Sequence, residues 1–155
     1  RGIKETIMRD RFKEFSKEVV GRLSDATTDH LLNKHASDKC LITSGTLSFL
    51  VKEISKELGI DNYFGTDAEI KERAYTGKVF GHPNFSEEKV RRIKDWIGSQ
   101  SFEVIYAYSD SIHDLPLLEF SDRPTAVNPD LQLMEIAQSK EWNIDISRQK
   151  IINDF

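Results

Sequence analysis

Short apolar runs that alternate with helical segments constrain the fold of this chain more than any other feature of its sequence. Residues 40–43, 102–108 and 124–127 are apolar runs with the length of buried strands. A helical pattern follows each run. Strands that alternate with helices favour a mostly parallel sheet that is covered on both faces. The sequence therefore predicts an α/β fold, a three-layer sandwich around a Rossmann-like sheet.

The remaining segments complete this pattern. Apolar residues recur at steps of three and four over residues 3–23, which predicts a long amphipathic helix. Thr27 or Thr28 can cap a shorter helix that runs towards His35. Alternating residues with interspersed glycines predict a small antiparallel hairpin over residues 63–80. Further helical segments are predicted over residues 47–58, 86–98, 115–118 and 131–138, and a last edge strand over residues 142–146.

Composition and charge exclude several classes of function. The net charge of −4 provides no basic surface for nucleic acid or an anionic membrane, and no apolar stretch of the sequence is long enough to span a bilayer. The single cysteine, Cys40, rules out an internal disulfide and, with four scattered histidines, disfavours a zinc cluster. These features predict a reducing, cytoplasmic compartment and indicate no particular oligomeric state.

Two carboxylates follow the second predicted strand. Asp110 comes directly after it and Asp114 stands four residues further on, about one helical turn away. Carboxylates that converge on one point repel each other unless a cation lies between them, and oxygen ligands of this kind suit Mg²⁺. The sequence thus indicates a magnesium site. The alternative is that Asp110 begins a turn and Asp114 caps a helix.

Two further positions could contact a phosphate. Ser44 and Gly45 follow the first strand, where a hydroxyl beside a backbone amide can bind a phosphoryl oxygen. The alternative for Ser44 is a helix N-cap. Lys89 lies in the first turn of the helix that begins near Ser86, where the helix dipole disfavours a cation. An anionic ligand would explain this lysine, and the alternative is an ordinary exposed lysine.

The order of these residues along the chain resembles a known family. Ser44, Lys89 and Asp110 correspond to the second, third and fourth motifs of haloacid dehalogenase phosphatases. The resemblance covers residues 38–146 and is greatest to the phosphoserine-phosphatase-like branch. The stretches that carry it are residues 41–51, 65–78, 88–90, 106–118 and 126–130.

This resemblance implies an activity and a role for each residue. The expected activity is hydrolysis of a small phosphomonoester with Mg²⁺ as cofactor. Ser44 and the Gly45 amide would bind the phosphoryl group, and Lys89 would neutralise negative charge on the nucleophile and the phosphoryl oxygens. Asp110 would bind Mg²⁺, and Asp114 would support or complete the metal shell. Electrostatic stabilisation of this kind is the main source of catalysis in phosphoryl transfer.

The first motif of the family is absent from the sequence. That motif is Asp-x-Asp followed by threonine or a similar residue; its first aspartate attacks phosphorus and its second serves as general acid and base. The nearest string, Asp145-Ile146-Ser147, lies in the last predicted strand. In this branch a helical cap lies between the first and second motifs, so the resemblance implies that the nucleophile, the first strand and most of the cap precede Arg1. The chain also opens on Arg1 rather than on methionine, as expected if its true start lies further upstream.

The resemblance also suggests a division of the chain. Residues 1–25 are expected to be the end of the helical cap, and residues 26–155 the core without its first strand. A second departure from the branch is His113, which stands where asparagine is more usual. His113 could contact the substrate, and the favoured alternative is a surface histidine.

Three hypotheses about function follow. The first is a phosphomonoesterase whose nucleophile belongs to a preceding segment, and the second is a truncated pseudoenzyme or regulatory binding module without turnover. The third, a nucleotide-binding domain, is disfavoured because no glycine-rich phosphate loop follows any strand. An upstream Asp-x-Asp motif would favour the first hypothesis over the second.

Overall fold

The structure, a computed structural model, describes residues 4–23 and 26–146. These residues form both helices and parallel and antiparallel strands, and the chain divides into two compact units, Arg1–Asn84 and Phe85–Phe155. The helices are α1 Glu5–Leu23, α2 Ala26–Lys34, α3 Ser48–Glu57, α4 Glu87–Ile97, α5 Leu115–Phe120 and α6 Leu131–Ser139. The strands are β1 Leu41–Leu47, β2 Asn62–Thr66, β3 Ala68–Lys71, β4 Ala74–Val79, β5 Tyr106–Ser109, β6 Arg123–Val127 and β7 Asn143–Asp145.

The first unit is built on a parallel pair of strands. β1 pairs with β2, and the connecting helix α3 packs against both strands. Helix α1 packs against α3, where the rings of Phe12 and Phe49 stack with centroids 4.4 Å apart. Gly59, with a φ of 71°, follows α3 and provides the left-handed residue that commonly ends a helix. The predicted end of this helix is therefore confirmed.

The hairpin predicted over residues 63–80 is wrong at its beginning. Strand β2 pairs in parallel with β1, and the antiparallel hairpin consists of β3 and β4 alone. The reason is the close packing of Gly65, where an added Cβ would lie 2.5 Å from the Cα of Ser48. Only glycine lets β2 lie this close to the residue that begins α3.

The second unit contains a three-stranded parallel sheet in the order β5-β6-β7. Helix α5 packs on β5 and β6, and α6 packs on β6 and β7. Leu118 from α5 and Leu133 from α6 are completely buried and form the centre of this core. Parallel strands connected by helices in both units confirm the predicted α/β class.

The strand predicted over residues 102–108 begins later than expected. β5 begins at Tyr106. The residue before it, Ile105, donates its backbone N–H to the Asp122 carboxylate, and the Ile105 carbonyl accepts from the backbone N–H groups of Asp122 and Arg123, the first residue of β6. Phe102 instead stacks on Trp96, with ring centroids 6.3 Å apart.

Within the described residues, no helix is both long and apolar enough to cross a bilayer.

Candidate functional site

The Ser44 segment is an irregular part of β1. Thr43 pairs with Phe64 and Leu47 with Thr66, so the intervening residues 44–46 bulge out of the ladder opposite a single residue of β2. The hydroxyl of Ser44 accepts a hydrogen bond from the Thr46 N–H at 3.1 Å. Because that bond uses a lone pair, the hydroxyl hydrogen of Ser44 can still be donated to an anion.

Ser44 does not cap the helix that follows it. Helix α3 begins at Ser48, and its N-cap position is Leu47, which makes no side-chain capping bond. The alternative interpretation of Ser44 as an N-cap is therefore wrong. β1 also runs on to Leu47, beyond the turn that was expected at residues 44–45.

A buried asparagine supports this bulge. The Asn84 side-chain amide donates to the Thr43 hydroxyl at 3.0 Å and to the Ser44 carbonyl at 2.9 Å. Its backbone N–H donates to the Thr66 hydroxyl at 3.0 Å, and that hydroxyl donates to the Gly45 carbonyl at 2.8 Å. Sequence reasoning assigned no role to Asn84 or to Thr66, although Thr66 lies in a stretch that carries the family resemblance, since no local pattern indicates partners so distant along the chain.

The second unit brings Lys89 and Asp114 together. The Lys89 Nζ lies 2.6 Å from Asp114 Oδ1, and the Lys89 residue is only 6% exposed. The other carboxylate oxygen of Asp114 accepts from the Ser109 hydroxyl at 2.8 Å. Asp114 occupies the N-cap position of α5 but makes no capping bond there. The alternatives of an exposed lysine and a helix-capping aspartate are therefore wrong.

Asp110 differs from Asp114 in its surroundings. It is exposed directly after β5, and within residues 4–23 and 26–146 its carboxylate makes no hydrogen bond or ion pair. Its backbone carbonyl accepts from the Asp130 N–H at 2.8 Å, which fixes the main chain beneath it. A carboxylate that is free of partners on a fixed backbone fits a ligand of Mg²⁺, which needs only one or two protein carboxylates.

Among the described residues, no group of three or more His, Cys, Asp or Glu side chains is arranged so that it could hold a metal ion. Both carboxylate oxygens of Asp114 are already engaged, by Lys89 and Ser109. Its surroundings favour the supporting role, and the metal-ligand assignments of Asp110 and Asp114 stay predictions.

Asp130 braces the loop that carries Asp110 and Asp114. One carboxylate oxygen accepts from the Ile112 N–H and the other from the Leu133 N–H, each at 2.8 Å. The Ile112 N–H is the largest cause of a lowered pKa of the Asp130 carboxyl, followed by the Leu133 N–H. Sequence reasoning gave Asp130 no role, although an aspartate directly before a helix is a recognisable N-cap.

His113 is exposed, as expected of a surface histidine, and its ring lies against that of Phe85 with centroids 4.8 Å apart. Ser86 precedes α4 at the predicted position, but it has a φ of 49° and makes no side-chain capping bond.

The predicted site residues divide between the two units: Ser44 and Gly45 belong to the first unit, and Lys89, Asp110 and Asp114 belong to the second. Their convergence on one phosphate stays a prediction.

Comparisons with known proteins agree with these features. The sequence profile of haloacid dehalogenase-like hydrolases matches residues 1–119. A histidinol-phosphatase from Neisseria meningitidis serogroup C (strain 8013) is 37% identical over 140 residues, which are 85% of this chain and 63% of that protein. The chain thus spans less than two thirds of this curated relative.

Solved structures give the same fold. A protein of unknown function from Bordetella pertussis Tohama I superposes with a TM-score of 0.83 at 33% identity, over 93% of this chain and 68% of that one. A phosphoserine phosphatase solved as a phospho-aspartyl intermediate analogue superposes with a TM-score of 0.60 at 21% identity, over 80% of this chain and 56% of that one. The second likeness concerns the fold alone.

Proposed function

The chain belongs to the haloacid dehalogenase-like hydrolase family, and from this premise we propose that it is the larger part of a magnesium-dependent phosphomonoesterase that acts through an aspartyl-phosphate. The observation that carries the proposal is the buried ion pair between Lys89 on α4 and Asp114 in the loop after β5, the loop in which Asp110 is exposed. An ammonium fixed in this way and a free carboxylate are suited to an anionic substrate and a divalent cation.

Each residue then has a defined task. Asp110 holds Mg²⁺, which when bound supplies positive charge against the phosphoryl oxygens. Asp114 orients the Lys89 ammonium, and Lys89 neutralises negative charge on the attacking and phosphoryl oxygens. The Ser44 hydroxyl and the Gly45 N–H donate to the phosphoryl group. Such preorganised donors stabilise the charge that develops in the transition state.

The nucleophile is proposed to come from a segment that precedes Arg1 in a longer protein. The 155 residues contain no Asp-x-Asp motif. Asp145, in the nearest comparable string, lies half-buried at the end of β7. The name of the solved phospho-aspartyl intermediate analogue supports an aspartyl-phosphate in this fold. In the proposal, the first aspartate of an upstream Asp-x-Asp motif attacks phosphorus, and the bond from phosphorus to the ester oxygen breaks as the second aspartate gives that oxygen a proton. Water then gives a proton back to the second aspartate, attacks the aspartyl-phosphate and releases phosphate.

The substrate is proposed to be the phosphate ester of a small amino alcohol. The names of the relatives indicate histidinol phosphate and phosphoserine, which share a phosphate on a primary alcohol next to a carbon that bears an amino group. The greater sequence identity to the histidinol-phosphatase makes histidinol phosphate the first compound to test.

The test compares two proteins. The 155-residue chain, verified by mass, and the complete encoded protein are each assayed for Mg²⁺-dependent phosphate release from para-nitrophenyl phosphate, histidinol phosphate and phosphoserine. We expect turnover by the complete protein alone. Turnover by the short chain would contradict the proposed origin of the nucleophile and make Asp145 the first residue to substitute. A complete protein that binds phosphate without turnover would favour the regulatory binding module instead.

A further inference from the structure

We propose that Asn84, acting with Thr66, is a positioning residue that aims the Ser44–Gly45 segment at the phosphoryl group. This inference rests on the proposed function, because it takes residues 44 and 45 as the phosphate-binding segment. Asn84 is completely buried, and it contacts β1 at the bulge where the regular ladder is interrupted.

The bulge removes the regular strand partners of residues 44–46, and side chains replace them. The Ser44 carbonyl accepts from the Asn84 amide at 2.9 Å, and the Gly45 carbonyl accepts from the Thr66 hydroxyl at 2.8 Å. Thr66 is itself fixed, since its hydroxyl also accepts from the Asn84 backbone N–H at 3.0 Å. Two consecutive carbonyls of the segment are therefore held by one connected network.

Fixing a carbonyl also fixes the next amide. In a planar trans peptide the C=O and the N–H point in opposite directions. The bond from Asn84 to the Ser44 carbonyl thus directs the Gly45 N–H away from Asn84. In the same way, the bond from Thr66 to the Gly45 carbonyl orients the Thr46 N–H, which donates to the Ser44 hydroxyl. The network therefore determines the direction of both proposed phosphate donors.

Asparagine is an unfavourable residue at the buried position 84 if its role is only to fill space in the core. Its Oδ1 is buried and has no hydrogen-bond partner among the described residues. A buried polar atom without a partner destabilises a fold, and such atoms call for an explanation. The two hydrogen bonds that the Asn84 side-chain amide donates explain why asparagine is present here. An apolar residue of similar size could fill the same space, but it could not bind the Ser44 carbonyl.

The experiment compares two asparagines that both donate to a carbonyl near β1. In the complete encoded protein, Asn84→Leu removes the bond to Ser44. Asn62→Leu removes an equivalent bond, from the Asn62 side chain to the Cys40 carbonyl at 3.1 Å, away from the bulge. Each variant is measured for the Kd of inorganic phosphate by calorimetry with Mg²⁺, for kcat and KM, and for thermal unfolding.

We expect Asn84→Leu to weaken phosphate binding and to lower kcat, each by about tenfold to a hundredfold, because small displacements of binding groups have effects of this size. Asn62→Leu should lower thermal stability but leave phosphate affinity as in the wild type. Thr66→Val should weaken phosphate binding, and Thr66→Ser, which keeps the hydroxyl, should recover it. If Asn84→Leu fails to fold, the two Thr66 variants decide the question.

The outcomes separate this inference from the proposed function. Wild-type phosphate affinity in Asn84→Leu or Thr66→Val would overturn the positioning role even if the enzyme is active. A wild-type protein that binds phosphate without turnover would contradict the proposed function, and the variants' phosphate affinities would still decide the role of Asn84. A wild-type protein that neither binds phosphate nor turns over substrate would overturn both.

Discussion

The ammonium of Lys89 and the carboxylate of Asp114 form an ion pair of 2.6 Å whose side chains are only 7% and 14% exposed. Removing two charges from water is costly, so a buried pair is weak evidence for stability by itself. A catalytic site, by contrast, benefits from an ammonium that cannot turn away from the substrate. The geometry of this pair therefore suits an oriented positive charge.

Lys89→Met should be inactive and less stable. The variant leaves the Asp114 carboxylate largely buried, with the Ser109 hydroxyl as its remaining hydrogen-bond donor among the residues that the structure describes. Breaking a buried pair in this way typically destabilises a protein by about 3 kcal/mol. Urea unfolding measures the loss of stability, and phosphate release by the complete protein measures the loss of turnover.

A double variant separates the two effects. Lys89→Met with Asp114→Leu removes both charges, so it should recover much of the lost stability and none of the turnover. The control is Arg91→Met on the same helix, whose side chain is 59% exposed and pairs with Glu88 and Asp95, so its loss should destabilise the protein less than the loss of the buried Lys89. Near-wild-type turnover in Lys89→Met would contradict the assigned role.

Asp110→Asn should abolish magnesium-dependent turnover without destabilising the fold. The substitution removes the anionic charge and keeps the shape, and the Asp110 carboxylate contacts no partner within the described residues. Activity of the complete protein titrated with MgCl₂, together with the thermal midpoint, measures both effects. Asp95→Asn, on the exposed face of α4, is the control. An Asp110→Asn variant with unchanged activity and metal dependence would show that the metal site is assigned wrongly.

The sequence could predict the elements of this fold because hydrophobic periodicity is a local property. It could not predict that β2 pairs with β1, since the alternation near Tyr63 fits either pairing and only the contact of Gly65 with Ser48 distinguishes them. At the candidate site, too, the sequence does not indicate which residues that are distant along the chain contact each other. Lys89 and Asp114 were each recognised by motif, but their ion pair joins residues 25 positions apart.

The hydrogen bonds of Asn84 are even harder to predict from the sequence. Its partners lie 18 to 41 residues away, and a single asparagine in a loop resembles many others in sequence. Asp130 is an intermediate case. Its capping of α6 follows from local sequence, whereas its bond to the Ile112 N–H depends on the arrangement of β5 and β6.

Gly65→Ala should destabilise the first unit. The added Cβ would lie 2.5 Å from the Ser48 Cα and 2.8 Å from the Thr46 carbonyl oxygen, and both are backbone atoms that cannot rotate away. Overpacking of this kind costs about 1–3 kcal/mol. Gly21→Ala is the control, because nothing lies within 4 Å of its added Cβ in α1, and it should stabilise by up to about 1 kcal/mol. Equal unfolding midpoints for the two variants would contradict the close approach of β2.

Asp130→Asn should alter the acid sensitivity of the protein. Hydrogen bonds from the Ile112 and Leu133 N–H groups lower the pKa of Asp130 in the folded state. A carboxyl whose folded pKa is depressed contributes stability that is fully present above its unfolded pKa, about 3.9, and is lost as pH falls through the folded pKa. The wild type should therefore be more stable than Asp130→Asn at pH 7, and this difference should shrink steadily below about pH 4. Urea midpoints of both proteins, measured at several values from pH 7 to about pH 2, give the difference directly.

The variant should also lose turnover at pH 7, because the loop from Asp110 to Asp114 would lose one of its two hydrogen bonds to residue 130. A stability difference that stays constant from neutral to acid pH would mean that the charge of Asp130 does not stabilise the loop.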